Sequence, residues 1–273
     1  MQILETLKAI YERQPIEKIP VQWDQLSYST ESFDRETRLP QFKGWAGDRP
    51  DEEEAGIILK LLKPEEGASL LDVACGYGRH ALLLAQRGLK VTGVDYSPGL
   101  IAKAKALAAE RNVSADFLVR DARDLAWDGE FDLAMIGFNS FGLFSPGSAP
   151  SVLNGIRRAL KPGGRLFMDL ANRRAGIEYP ERESNWEWDR GSLKLQEVSF
   201  RQSPCVEVCR DLYIRAAEGK VEEFLVFLRM YCRDEISALL QDCGFKLEEI
   251  FGGWDLAPML PDSRKIVLVA QRI

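Results

Sequence analysis

Strand-like and helical segments alternate along residues 70–171, and this alternation leaves few folds open to the chain. The apolar runs LLDVA and KVTGVD are each followed by a helical pattern, RHALLLAQRG and SPGLIAKAKALAAERN. ADFLVRD, FDLAMIGF and RLFMDLA predict three further strands, with the helix APSVLNGIRRAL before the last. Strands that alternate with helices are joined by crossover connections, and these produce a parallel sheet with helices on both faces. The segment therefore predicts a doubly wound α/β fold.

The flanking segments depart from this alternation. Residues 1–50 predict an N-terminal arm or lid, helical at first and then irregular and aromatic, before a main domain at 51–273. Within that domain, residues 184–232 are strand-like runs broken by turn signals, which predict an antiparallel β insertion. The final runs FKLEEIFGGW and KIVLVAQRI close the sheet as an antiparallel pair. The prediction is a seven-stranded sheet, mostly parallel, with its last strand antiparallel.

Composition narrows the class of protein and its partners. The 273 residues are 45% hydrophobic with a net charge of -6, which is ordinary for a globular enzyme and unfavourable for binding nucleic acid. The first residues carry no apolar signal-peptide core, and no apolar run is long enough to span a bilayer. Five irregularly spaced cysteines and a single histidine predict reduced thiols and no metal site. We therefore expect a cytoplasmic protein without a membrane partner.

The run LLDVACGYGRHA at residues 70–81 places a glycine-rich turn between a strand and a helix. Gly76, Gly78 and Ala81 fit the G-x-G-x-x-A spacing of dinucleotide-binding turns, so an NAD(P)-dependent oxidoreductase is one interpretation. Asp72 opposes it, because a carboxylate beside the turn would repel a pyrophosphate. An acid in this place instead suits a ligand with a cationic ammonium group.

Three further runs extend the pattern to a known family. LDVACGYGRH, VTGVDYSPGL, VRDARDL and KPGGRLFMDL together resemble the motifs of class I, Rossmann-like S-adenosylmethionine (SAM)-dependent methyltransferases, of the small-molecule branch. The resemblance implies SAM as cofactor, with Asp95 on the ribose hydroxyls, Asp121 on the adenine amino group and the backbone N–H of Ala122 on the ring. Any one such aspartate is more often a turn former or helix cap. The full implied set for the cofactor is Asp72, Ala74, Gly76, Gly78, Asp95, Tyr96, Asp121, Ala122 and Phe138.

The run FDLAMIGFNSFGLF corresponds to the family's fourth motif, which lies beside the transferred methyl group. It lacks an Asn-Pro-Pro-Tyr tetrad, and this lack favours a small-molecule acceptor. Asn139 and Phe141 are candidates for contacting that acceptor, as is Tyr28 from the arm, while Phe144 is better explained by core packing. His80, in the first turn of a helix, is better explained by a structural or cofactor contact than by a role as general base. No catalytic residue is assigned.

The activity implied is methyl transfer from SAM to a small molecule by in-line displacement. Besides the oxidoreductase, a SAM-binding regulator without catalysis remains an alternative. The insertion is expected either to cover the active site or to form a homodimer face, and both would bury the alternating residues Val206, Val208, Leu212 and Ile214. The sequence leaves open whether N, O or C accepts the methyl group. An amine or a natural-product-like molecule is suggested by the resemblance alone.

Overall fold

The computed structural model describes residues 8, 12–21, 50–173, 183–189, 192–201, 205–215 and 218–273. The chain divides into two compact units, one of residues 1–28 with 177–230 and one of residues 29–176 with 231–273. The predicted N-terminal helix and the aromatic part of the arm, which includes Tyr28, lie outside the described residues. No helix in these described ranges is long and apolar enough to cross a membrane.

The larger unit is built on the seven-stranded sheet that the sequence predicts. The strands are β1 (Ser69–Val73), β2 (Lys90–Asp95), β3 (Asp116–Val119), β4 (Phe131–Ile136), β5 (Leu160–Ala171), β10 (Phe245–Phe251) and β11 (Lys265–Arg272). They lie in the order β10-β11-β5-β4-β1-β2-β3, and β11 runs antiparallel to the other six. The helices are α1 (Asp51–Leu62), α2 (Arg79–Gln86), α3 (Pro98–Glu110), α4 (Ala149–Ala159) and α5 (Arg233–Asp242). The predicted α/β fold is thus confirmed.

The sheet is buried on both faces, as a doubly wound architecture requires. Leu71, Val73 and Ala134 belong to a core cluster that includes buried residues of α4 and α5. Leu70 and Leu133 belong to a second cluster, with buried residues of α1, α2 and α3. This two-sided burial explains why the strands of this region are apolar runs rather than alternating patterns.

Parallel pairing brings the carboxyl ends of β1, β2 and β3 to one edge of the sheet. Asp72 pairs with Gly93 in the next strand, and Asp95 pairs with Val119 at the end of β3. Ser97 is the N-cap of α3 at this edge, and its hydroxyl accepts a hydrogen bond from the backbone N–H of Leu100 at 3.1 Å. In open α/β sheets, ligands bind at such an edge.

The smaller unit contains the predicted antiparallel insertion as a four-stranded sheet. Its strands β6 (Glu183–Asp189), β7 (Ser192–Arg201), β8 (Val206–Arg215) and β9 (Lys220–Arg229) pair in chain order. Four alternating apolar residues of β8 are buried in the single chain: Val206, Val208, Leu212 and Ile214. Ile16 and Ile19 from the arm pack against Val206 and Val208. Residues 16–19 of the arm thus complete a small core on this sheet.

A buried ion pair joins the same arm segment to the sheet. Glu197 and Arg210 are nearly fully buried, and Arg210 Nε donates to Glu197 Oε2 at 2.6 Å. Arg210 Nη1 donates to the backbone oxygen of Gln14 at 2.7 Å, and Arg13 pairs with Glu223 on β9. Because a buried charge needs a partner, these contacts fix the register of the arm on the sheet.

Removal of the Glu197 charge should destabilise the smaller unit. Glu197→Gln leaves the buried Arg210 guanidinium without its closest counter-charge, so the free energy of unfolding should fall by about 3 kcal/mol. Urea unfolding followed by circular dichroism measures the change. The control is Lys220→Gln, which breaks an exposed pair with Glu218 and should cost less than about 0.5 kcal/mol. Equal effects of the two substitutions would contradict the structural role of Glu197.

Candidate functional site

The glycine-rich loop between β1 and α2 turns sharply at the carboxyl edge of the sheet. Ala74, Gly76 and Gly78 have φ angles of 57°, 59° and 79°, all in the left-handed region that favours glycine. A Cβ on Gly78 would lie 2.9 Å from Cζ of Phe117, so packing against β3 requires glycine there. A Cβ on Gly76 would meet nothing within 4 Å. The loop backbone is therefore open at Gly76, where a ligand can approach it closely.

Asp95 at the end of β2 ties this loop to the start of α3. Its Oδ2 accepts a hydrogen bond from the backbone N–H of Gly76 at 2.9 Å, and its Oδ1 accepts one from Ser97 at the same distance. A carboxylate oxygen has two lone pairs and can accept more than one hydrogen bond. The carboxylate is only half-buried. It is thus oriented by the backbone and partly exposed at this edge of the sheet.

Asp72 is a carboxyl group buried beside a second acid. It is 3% exposed, and burial raises the pKa of its side chain to about 8. The charge of Arg79 opposes this rise, whereas the charge of Asp95 adds to it. A carboxyl group in this state favours a cationic ligand, because a nearby positive charge lowers the cost of its ionisation.

Asp121, just after β3, makes an ion pair that the sequence did not reveal. Arg123 donates from Nε to both carboxylate oxygens at 3.0 Å, and its backbone N–H donates to Oδ1 at 2.8 Å. The hydrogen bonds from Arg123 hold the pKa of Asp121 below its ordinary value. Ala122 is buried in the core beneath it. Tyr96 and Val119, which lie at the same edge as Asp121, are 46% and 53% exposed. They offer an apolar surface of the kind that suits a purine base.

The turn after β4 is strained and tied to β5. Phe138 and Asn139 both adopt left-handed φ angles, 57° and 56°, which non-glycine residues seldom do. The buried Asp169 carboxylate accepts from the backbone N–H of Phe138, and Asn139 Oδ1 accepts from the N–H of Ala171 at 2.9 Å. The Asn139 amide oxygen therefore holds the strand ends together. The ring of Phe138 is half-buried and lies 5.1 Å from the guanidinium of Arg79.

The structure places Phe141 in the core, where the sequence suggested a contact with the acceptor. Its side chain is fully buried, with ring centroids 5.5 Å from Tyr231 and 6.2 Å from Phe144. These packing partners leave no exposed surface for a substrate, so Phe141 is a core residue. Phe144 packs against the same core, as expected.

A buried cluster of charged and polar groups joins α1 to the start of α2. Glu54 Oε2 accepts from Arg79 Nη1 at 2.5 Å and lies 2.7 Å from His80 Nε2, and Arg79 Nη1 also donates to Asp51 at 2.8 Å. Burial alone would raise the pKa of Glu54, but the hydrogen bond from His80 and the charge of Arg79 outweigh it and lower that pKa. His80 is thereby held within the protein, which fits the structural role favoured for it.

Comparisons with known proteins show what the chain is similar to. Residues 70–164 match the family described as a methyltransferase domain. The cypemycin N-terminal methyltransferase of a Streptomyces species is 34% identical over 121 residues, which cover 43% of this chain and 49% of that protein. The chain therefore spans about half the length of this curated relative.

Two solved structures share the fold at low sequence identity. The CcbJ methyltransferase of Streptomyces caelestis has a TM-score of 0.72 at 20% identity, with 84% of this chain and 92% of that one covered. The SAM-bound amino pentose methyltransferase CalS10 of Micromonospora echinaspora has a TM-score of 0.65 at 20% identity, with 86% and 96% covered.

Residues 70–164 thus match a methyltransferase domain, and the fold and the motifs agree with the predicted class and its cofactor, SAM. The described residues fit that cofactor. The loop is open at Gly76, the carboxylate of Asp95 is oriented by backbone N–H groups, and the buried Asp72 favours a cation.

Gly76→Ala should separate ligand binding from folding. The added methyl group meets no protein atom but stands on the open side of the loop, so S-adenosylhomocysteine affinity should fall at least about thirtyfold, or about 2 kcal/mol. The matched control is Gly129→Ala, another open left-handed glycine at φ 68°, just before β4 begins. Both substitutions should cost similar stability, about 1 kcal/mol, and calorimetric titration should show unchanged affinity for the control. Equal affinities for the two variants would mean that no ligand approaches Gly76.

Proposed function

We propose that this chain transfers the methyl group of SAM to a small-molecule acceptor. The observation that carries the proposal is the placement of Asp72, Asp95 and the open glycine loop at one edge of the sheet. Two carboxyl groups with different surroundings stand there, one buried and one oriented by backbone N–H groups. A ligand with both a cationic end and a sugar diol matches this pair.

Each part of the cofactor is assigned to residues at that edge. Asp95 accepts from the two ribose hydroxyl groups, and Asp72 receives the ammonium of the methionine end. The backbone at Ala74, Gly76 and Gly78 lies along that end. The adenine ring lies beside Tyr96, with its amino group toward Asp121 and its ring nitrogen toward the N–H of Ala122. Because Arg123 donates twice to each carboxylate oxygen of Asp121, the adenine amino group takes the place of one of these hydrogen bonds in this arrangement.

The reaction proposed is an in-line displacement at the methyl group. A sulfonium-bound methyl group is already activated, and this is the chemistry that the cofactor supplies. The residues of the chain have the remaining task of aligning donor and acceptor, an effect worth up to about 7–11 kcal/mol in favourable cases. The rigid turn at Phe138 and Asn139 is suited to that task, because hydrogen bonds to β5 fix its backbone. No general base is assigned, since an acceptor that reaches the site unprotonated needs none.

An amine on a small molecule is the acceptor that we favour. Two of the compared proteins are named for substrates with such a group, the N-terminus of cypemycin and an amino pentose. The oxidoreductase alternative is disfavoured by Asp72, because an anionic pyrophosphate would oppose ionisation of this carboxyl, whereas a cationic ligand favours it.

Mass spectrometry tests the activity directly. The chain is incubated with SAM and a panel of amino sugars, short peptides with free N-termini and phenols. The expected result is an acceptor that gains one methylene in mass, with an equal amount of S-adenosylhomocysteine formed. Tight SAM binding without turnover on any acceptor would favour the regulator alternative. Binding of a nicotinamide cofactor but not of SAM would overturn the proposal.

Asp95→Ala tests the ribose assignment. The substitution removes two charge-assisted hydrogen bonds to the ligand, so SAM affinity should fall by about a hundredfold, or about 3 kcal/mol. Calorimetric titration with SAM measures the loss. Lys265→Ala is the control, since Lys265 interacts with Asp169 at 3.3 Å and has no role in holding the ribose. A loss of less than about threefold for Asp95→Ala would show that the ribose is held elsewhere.

The raised pKa of Asp72 predicts proton release on ligand binding. Below a pH of about 8 the ligand-free protein holds a proton on this carboxyl, and an ammonium beside it favours the ionised form. S-adenosylhomocysteine should therefore bind with proton release near neutral pH, and its affinity should rise as the pH approaches 8. Calorimetry in buffers of different ionisation enthalpy counts the protons.

Two controls isolate the contribution of Asp72. Asp72→Asn should abolish the release, and 5′-methylthioadenosine, which lacks the amino group, should cause none. Proton uptake by the unsubstituted protein, or an unchanged release in Asp72→Asn, would contradict the assignment of the ammonium to Asp72.

A further inference from the structure

The strand β3 (Asp116–Val119) is the outermost strand of the seven-stranded sheet, and only β2 pairs with it among the described residues. The backbone N–H of Arg120 donates to the oxygen of Asp95 at 2.9 Å, which continues this ladder by one residue. Backbone groups alternate in direction along a strand, so the N–H and C=O groups of Phe117 and Val119 point away from β2. An outer strand of this kind is a template on which another strand can pair.

The side chains of this outer strand combine exposed apolar groups with two charges. Leu118 is 39% exposed and Val119 is 53% exposed. Because side chains alternate along a strand, Leu118 shares its face with Asp116 and Arg120. Charges on an outer strand usually keep chains apart. Here the two charges are of opposite sign and lie two residues to either side of Leu118.

Neither charge is paired within the part of the chain that the structure describes. Asp116 is exposed, and no cation in the described ranges forms an ion pair with it. The guanidinium of Arg120 lies 5.0 Å from the ring of Trp127, and its Nε is buried without an acceptor. A carboxylate placed beside this guanidinium would therefore provide a counter-charge that the described residues do not.

Antiparallel pairing of two copies of this strand provides that counter-charge. With Leu118 opposite Leu118 of the second copy, Phe117 lies opposite Val119 of the second copy, and their outward backbone groups form a hydrogen-bonded pair. Asp116 then lies opposite Arg120 of the second copy, and the same pairing recurs on the other side of the centre. A slide by two residues in either direction would place one of the charges opposite Leu118. The sequence thus favours a single register.

We propose that β3 is a homodimer interface, at which a second copy of this chain extends the sheet across a two-fold axis. A two-fold axis brings one patch against itself, so the patch must be complementary to itself. The run Asp-Phe-Leu-Val-Arg at residues 116–120 meets this condition in its charges, its central leucine and its backbone groups. This self-complementarity favours a second copy over an unrelated protein as the partner.

Charge reversal tests the interface in solution. Sedimentation velocity over a concentration series should show the unsubstituted chain approaching twice its mass of 30.8 kDa. Asp116→Arg would set cations against each other on both sides of the axis, so the dimer dissociation constant should rise at least about thirtyfold. Arg120→Asp should have the same effect through opposed acids. Glu66→Arg reverses an exposed acid in the turn before β1 and should leave the constant unchanged.

A mixture of the two reversed variants should regain the dimer. In a mixed pair one copy carries two cations on this face and the other carries two anions, so both oppositions become attractive again. Each variant alone should remain monomeric at the same concentration. Melting temperatures of the variants verify that they fold, which matters because Arg120 packs against Trp127.

Leu118→Cys tests the register directly. Residues opposite each other at a non-hydrogen-bonded position have Cα atoms about 4.5 Å apart, which is within the range of a disulfide. Mild oxidation should therefore convert this variant into a covalent dimer on a non-reducing gel. Val119→Cys is the control, because residue 119 lies opposite Phe117 of the second copy and should not cross-link.

Three results would overturn the proposal. The first is a chain that stays monomeric at every concentration. The second is a dimer that persists unchanged in both charge-reversed variants, since the second copy would then bind elsewhere, for example on the four-stranded sheet. The third is the absence of a Leu118→Cys cross-link, or equal cross-linking of Val119→Cys, because the charges would then not lie opposite each other.

Discussion

The carboxylate of Asp95 is the interaction on which the site depends. It accepts the backbone N–H of Gly76 on one oxygen and that of Ser97 on the other, and so it fixes the glycine loop relative to α3. A hydrogen bond from the N–H of Cys75 to the oxygen of Val94 at 2.9 Å also holds the loop at the end of β2. The Asp95 carboxylate is half-buried and so partly exposed at the open edge. The residue that positions the loop is thus also suited to bind the ligand.

The protonation of Asp72 depends on what binds beside it. Burial raises the pKa of its side chain to about 8, so the carboxyl holds a proton near neutral pH in the ligand-free protein. A cationic ligand lowers the cost of ionisation, because its positive charge then lies beside the carboxylate. Binding of such a ligand is therefore expected to ionise Asp72.

Local sequence signals predicted the framework but not the long-range contacts. The period of the apolar runs and the spacing of the glycines were enough for the sheet and the loop, because both are set by neighbouring residues. Glu54 lies in the acidic first turn of α1, and nothing local in the sequence shows that it is buried against Arg79 and His80. Phe141 follows the site motif directly, yet a 3-10 turn at Ser140–Leu143 directs it into the core.

A crystal structure of the chain with bound S-adenosylhomocysteine tests the central claim most directly. The account predicts both ribose hydroxyl groups within hydrogen-bond distance of the Asp95 carboxylate, and the ligand's amino group close to Asp72. A ligand whose ribose is held by other residues, with no hydrogen bond to the Asp95 carboxylate, would contradict the account.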